Sequence, residues 1–204
     1  MMKHFIKVSI TVYIFYMFLY SLWYVLSVID FANIRIDNAW AGSICYLPHG
    51  ARVLMVCFFR YYSLPALYLA EVSAPYLINN NEDYMMEYIS GWQYGSIGCI
   101  AAVVIAVELV KWSRVTQGNF SFFKPVNFKN YKFLILVIFI SSLLSGVLSN
   151  SIVSLVNTSE TIDILTVVRF MVGDLLGAIT VIIAMWVVFT TAIDTRMIIS
   201  PDNE

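Results

Sequence analysis

The sequence predicts an all-α, polytopic transmembrane helix bundle of about six spans with both termini in the cytoplasm, and three observations carry that expectation. Of 204 residues, 60% are hydrophobic and only 12% charged, against roughly 45–50% apolar and about 25% charged in soluble domains. Apolar runs long enough to cross a hydrocarbon core of about 30 Å recur along the chain. Basic and acidic residues fall in different connections, as they do when short cytoplasmic loops collect Lys and Arg. Water could not accommodate that much apolar surface. Spans of about 20 residues each use up almost all of the chain, so residues 1–204 are expected to form a single transmembrane domain without a separate soluble catalytic unit.

The first span is placed at residues 8–29. The preceding Met1, Met2, Lys3, His4 and Lys7 resemble the basic start of a signal peptide. The apolar run is too long for a signal-peptide core, however, and no small-residue cleavage site follows it, so the segment is expected to stay as an uncleaved span. A polar connector with Arg35 and Asp37 leads to a second span at 40–59, which is interrupted by Leu47-Pro48-His49-Gly50 and runs into Arg60-Tyr61-Tyr62. The third, at 63–78, has Pro65 near its start; these two are short and kinked. An acidic, Asn-rich connection at 79–83, with Glu87 close behind, precedes the fourth span at 91–110.

Residues 111–132 then form the one substantial hydrophilic connection, with Lys111, Arg114, Lys124, Lys129 and Lys132 and no acid. The fifth span is expected at 133–156 and the sixth at 165–193, joined by a turn carrying Glu160 and Asp163, and a short tail follows. Placing the basic connection inside also puts Lys3, Lys7, Arg60 and Arg196 inside and the acidic connections outside. Five spans would leave one terminus on the wrong side.

Aromatic residues near span ends, Trp23, Tyr24, Trp40, Trp92 and Trp112, suit the interfacial belts. Small residues recur at spacing four: Gly91 and Gly95, then Ser142, Gly146 and Asn150, then Gly173 and Gly177. Such faces allow helices to approach closely, either within the chain or in a homo-oligomer. Cys45, Cys57 and Cys99 lack metal or redox spacing and read as small buried hydrophobes.

Ionisable residues at membrane depth carry more information, because a central charge costs on the order of 2.5–3.5 kcal/mol even on insertion scales and needs a partner or water. His49 and Arg52, three apart, share a helix face. Glu71, Arg169 and Asp174 are the other candidates; Arg169 and Asp174, five apart, point in different directions and should each meet another helix. Glu108 lies one turn from Lys111 and is expected to reach the interface. Arg52 or Arg169 is expected to meet Glu71 or Asp174 in the outer half of the bundle. A structural ion pair and a ligand or ion site both remain open. The irregular backbone implied by Pro48-His49-Gly50 requires cover by protein or a cavity.

The chain has no phosphate-binding G-x-x-x-x-G-K-[ST], no G-x-S-x-G, no H-E-x-x-H and no dinucleotide fingerprint, so no enzyme, cofactor or metal site is expected. The charge pattern sets orientation and points to no nucleic-acid partner.

Two segments resemble the membrane-associated sensor domain family (MASE, first type). The first runs from Leu47-Pro48-His49-Gly50-Ala51-Arg52 through Arg60 and Pro65 to Glu71, similar to the family's Pro-x-Gly start followed by a helix, a basic turn and a second helix. The second, Arg169-Phe170-Met171-Val172-Gly173-Asp174-Leu175-Leu176-Gly177, is similar to the family's Arg-x-x-x-Gly-Asp-x-x-Gly helix. The resemblance covers roughly a quarter of the chain, and family members commonly have more spans and a cytoplasmic output domain. It implies a sensor or scaffold of the bacterial cytoplasmic membrane that signals through a separate membrane or cytoplasmic protein, with Pro48, Gly50, Arg52, Arg169, Gly173 and Asp174 lining a polar cavity. The basic connection is the docking surface for that partner or for anionic lipid. The competing expectation is a small-solute transporter or the substrate-binding component of one.

Overall fold

In the computed structural model the structure describes residues 2–29, 43–78, 91–112, 131–158 and 162–195. The connector with Arg35 and Asp37, the acidic connection at 79–83 with Glu87, Arg114, Lys124, Lys129, Glu160 and Arg196 lie outside them. The described residues are helical with no strand. The helices are α1 (Met2–Val28), α2 (Leu47–Phe59), α3 (Leu64–Ile78), α4 (Trp92–Trp112), α5 (Tyr131–Val156) and α6 (Ile164–Asp194), with a 3₁₀ turn, Arg60–Ser63, between α2 and α3. Five continuous stretches are long and apolar enough to cross a membrane: Lys3–Val28, Leu47–Ile78, Trp92–Trp112, Lys132–Val156 and Ile164–Ala192.

The stretch Leu47–Ile78 is not one straight rod. Arg52 and Glu71, 19 residues apart, form an ion pair, whereas 19 residues of straight helix would separate them by about 28 Å. The chain folds back at Arg60, whose φ of 54° is the only positive value at a non-glycine among the described residues. The Ser63 hydroxyl donates to the Arg60 carbonyl at 2.6 Å and holds the turn.

Successive helices run in opposite directions. His4 stacks edge-on against Tyr62 near the fold-back, while the Trp23 indole N–H donates to Ser43 Oγ at 2.8 Å at the other end, so α1 and α2 are antiparallel. The hydrogen bond between Tyr13 and Ser73, 2.9 Å, brings α3 back alongside α1. Glu108 near the end of α4 meets Arg60, Gly95 and Gly98 of α4 abut Ser149 of α5, and Gly146 of α5 abuts Val167 and Met171 of α6.

α1 packs against α2 and α3, α3 against α4, α4 against α5, α5 against α6 and α6 against α2. The short α2 closes the ring between α6 and α1 and also touches α4 and α5, so it lies inward, and every residue from Leu47 to Cys57 is buried. Pro48 fits here because the first turn of a helix needs no N–H from it. The helix begins at Leu47, after non-helical residues 43–46, and not at Trp40; residues 40–42 lie outside the described residues.

The glycines explain how the ring closes. Gly95, Gly98 and Gly146 admit a neighbouring helix, as small residues do in membranes. Gly173 and Gly177 do something else: a Cβ on either would overlap the backbone carbonyl of Ser43 or Tyr46. Their groove receives the non-helical segment 43–46, and the Tyr46 N–H donates to the Gly173 carbonyl at 2.9 Å. Gly91 has φ of +91° and starts α4 as a turn residue, its carbonyl accepting from the Tyr94 N–H at 3.0 Å. Ser142 and Asn150 are buried and bond back to the carbonyls of Ile138 and Gly146 one turn earlier on α5.

Candidate functional site

All six helices contribute to one buried polar cluster. Its centre is Arg52 on α2, 2% exposed. The guanidinium binds Glu71 of α3 as a fork, with Nε donating to Oε2 at 3.1 Å and Nη2 to Oε1; two parallel donors to one carboxylate make the strongest geometry available to this pair. The Tyr46 ring lies under the guanidinium, 5.2 Å from its centroid, and the Tyr46 hydroxyl bonds to that of Tyr16 on α1 at 3.3 Å. Trp23 packs edge-on against Tyr46 at 5.1 Å, so a residue expected as an interfacial anchor also clamps the segment that carries Tyr46.

One turn before Arg52, His49 is fully buried. Its Nε2 lies 3.1 Å from Ser141 Oγ on α5, and its Nδ1 lies 3.2 Å from Asp174 Oδ2 on α6 and 3.4 Å from Arg52 Nη1. Asp174 is 2% exposed, and its Oδ2 has no hydrogen bond that satisfies it. Ser145 of α5 stands beside Asp174 and Cys99, and Ser96 of α4 stands beside Glu71. Pro75 lies within α3, and proline lacks the N–H that would bond the carbonyl four residues back, which is that of Glu71. Gly50 lets α2 approach α6 closely, since a Cβ there would sit 2.7 Å from Val181 Cβ.

Of the residues singled out in the sequence, His49, Arg52, Glu71 and Asp174 meet; Pro48 and Gly50 shape the helix that carries two of them; Gly173 seats the segment carrying Tyr46. Arg169 does not join. It is half-buried and forms no ion pair among the described residues, because it lies more than a turn from Asp174 on another face of α6. Glu108 does not simply reach the interface beside Lys111: it pairs with Arg60 at the fold-back and accepts from the Tyr61 hydroxyl at 3.4 Å.

Tyr16, Tyr46, Ser96, Cys99, Ser141 and Ser145 were not anticipated. A usable signal existed for α5, where Ser141, Ser145 and Ser149 recur at spacing four in an apolar span, one position before the stripe formed by Ser142, Gly146 and Asn150. All three serines are buried. Cys57 and Cys99 are buried and Cys45 half-buried, each a free thiol. No group of three or more His, Cys, Asp or Glu side chains among the described residues is placed to hold a metal ion.

Comparison with protein-family models, curated proteins and solved structures gives no match.

Proposed function

We propose that the chain is a multi-pass protein of the bacterial cytoplasmic membrane that works as a sensor-like bundle and signals through a separate protein. The observation that carries this reading is the cluster: a side chain from each of six helices meets at membrane depth, and one buried carboxylate oxygen is left unmatched. A purely structural ion pair would end at Arg52 and Glu71. Occupancy of the unmatched position would change the contacts of α2, α5 and α6 together, which is the kind of local charge event that biases a packed element between two arrangements.

Six crossings with both termini inside are part of the proposal. The fold-back at Arg60 supports two crossings within Leu47–Ile78. The basic residues support the orientation: Lys3 and Lys7 start α1, Arg60 forms the fold-back, and Lys111 and Lys132 flank the basic connection, all at one end of the bundle. That connection is the proposed docking surface for the partner or for anionic lipid.

A gentle-detergent pull-down of wild type beside Asp174→Asn, with mass spectrometry of what copurifies, tests the reading. A specific partner that is lost with the folded variant supports it, and no partner with either form removes it. The buried hydroxyls of Ser96, Ser141, Ser145 and Ser149, which extend the cluster between α4 and α5, favour a small-solute transporter as the second reading. Saturable uptake into liposomes would establish that alternative.

A further inference from the structure

The Nδ1 atom of His49 is placed between a donor, Arg52 Nη1 at 3.4 Å, and an acceptor, Asp174 Oδ2 at 3.2 Å. One ring nitrogen cannot accept from the first and donate to the second at once, because in neutral imidazole each nitrogen is either protonated or carries a lone pair. With Nδ1 accepting from Arg52, its lone pair and that of Asp174 Oδ2 face each other across 3.2 Å with no hydrogen between them. The charges lead to the same place. Arg52 is matched by Glu71, so an ionised Asp174 leaves one uncompensated negative charge where burial is most costly.

We infer that Asp174 and His49 form a proton-binding site, with the bound proton shared between Asp174 Oδ2 and His49 Nδ1. This deepens the sensor reading, on which it rests, by naming the ligand. In the empty state Asp174 is a carboxylate, His49 carries its hydrogen on Nδ1 and donates it to Asp174, and Nε2 accepts from the Ser141 hydroxyl. Uptake of one proton makes Asp174 a carboxylic acid that donates to His49 Nδ1. The imidazole hydrogen then resides on Nε2 and is donated to Ser141 Oγ, freeing the Ser141 hydroxyl to donate to the Ile138 carbonyl, 3.1 Å away. The Nδ1 lone pair is then taken up by the Asp174 hydroxyl while Arg52 keeps its fork on Glu71, so one proton alters bonds on α2, α5 and α6.

A proton suits the space better than any organic molecule. His49 and Asp174 side chains are 0% and 3% exposed, and Gly50 and Gly146 already stand too close to α6 to admit a Cβ. The titratable and charged groups around the pair are Arg52 of α2, Glu71 of α3 and Cys99 of α4, with Tyr16 of α1 and Tyr46 beyond them beside Arg52 and Glu71. α5 contributes the hydroxyls of Ser141 and Ser145.

Infrared difference spectroscopy of the purified full chain in lipid nanodiscs, taken across a pH titration, tests the site without any partner. Wild type should show a carboxylic-acid carbonyl band that grows as pH falls. The band should be missing in Asp174→Asn, remain in Glu71→Gln, and shift its midpoint in His49→Gln. A band that persists in Asp174→Asn overturns the proposal, as does the lack of any titrating band in wild type. Should Asp174→Asn fail to fold, His49→Gln decides: a shifted midpoint supports the site, and an unchanged one overturns it. Partner capture is read separately, so a proton site with no partner leaves the site standing while the sensor reading falls.

Discussion

Arg52 and Arg60 are equally buried at 2% exposure each, and each meets one glutamate, but their surroundings differ. The glutamate of the first, Glu71, is itself 5% exposed and sits among side chains from every helix; the side chain of the second, Glu108, keeps 25% exposure at the end of α4. The first pair is sealed on all sides and the second borders the bundle surface. Removing one partner of a sealed pair leaves a charge that neither water nor protein can satisfy, whereas a bordering charge can turn outward. Equal burial of the arginines therefore does not mean equal consequence.

The largest expected effect comes from Arg52→Met. It leaves Glu71 and Asp174 together without a cation, and by the behaviour of broken buried pairs the cost is about 3–5 kcal/mol. Unfolding in graded SDS from mixed micelles measures it. Adding Glu71→Leu should recover part of that loss, since replacing both members of a buried pair by apolar residues is far milder than removing one. A double variant no more stable than Arg52→Met would mean that Asp174, and not Glu71, carries the penalty.

Gly173→Ala comes next. The added methyl meets the carbonyl of Ser43, which belongs to backbone and cannot rotate away, so segment 43–46 must lift and take Tyr46 with it. Overpacking of this kind costs about 1–3 kcal/mol. It should also loosen the polar cluster while leaving the Arg60 end unchanged, which protection of backbone amides in α2 against those at the fold-back would reveal.

How far the sequence reaches follows the same division. Helix positions were legible because apolar runs and punctuating Gly, Pro and charged residues mark them directly. The meeting of Arg52 with Glu71 and of His49 with Asp174 was half legible: cost at depth said that each needs a partner, and only the packing of α2 inside the ring said which. Arg169 illustrates the limit. Its residue type and its place in a family-like motif singled it out, yet five residues from Asp174 is far enough around the helix to put it on another face. Spacing four marks Gly173 and Gly177 as a helix-packing surface and says only that the groove is shallow. What lies in it is the non-helical backbone of residues 43–46, and no local pattern announces that. Tyr16 and Tyr46 were invisible for a related reason, since aromatics are abundant and only those that touch Arg52 or each other enter the cluster.

Gly91→Ala probes the backbone in place of the charges. Gly91 has φ of +91°, a conformation that costs an L-residue with a side chain roughly 1–2 kcal/mol, and its Cβ would lie 2.9 Å from Val156 Cγ1 at the end of α5. The loss should fall on the start of α4, where Ser96 and Cys99 join the cluster, so Asp174 should become more accessible to water while the Glu108 end holds. Hydrogen exchange resolved along α4 distinguishes this from a uniform loss of stability.

The smallest effect is expected for Glu108→Gln. The amide keeps the shape of the carboxylate and its carbonyl can still accept from the Arg60 guanidinium, which anchors the fold-back. Only the charge is lost, and the buried Arg60 keeps a hydrogen-bond acceptor on a side chain that borders the bundle surface. Exposed pairs contribute about 1 kcal/mol or less, and this half-buried one keeps its acceptor in the variant, so the SDS midpoint should move less than for any other change named above. The backbone sharpens the expectation: Arg60 has φ of 54°, and a strained turn is kept only where its neighbours hold it. A loss as large as that of Arg52→Met would place the strain of the fold-back, and not the polar cluster, at the centre of the molecule's stability.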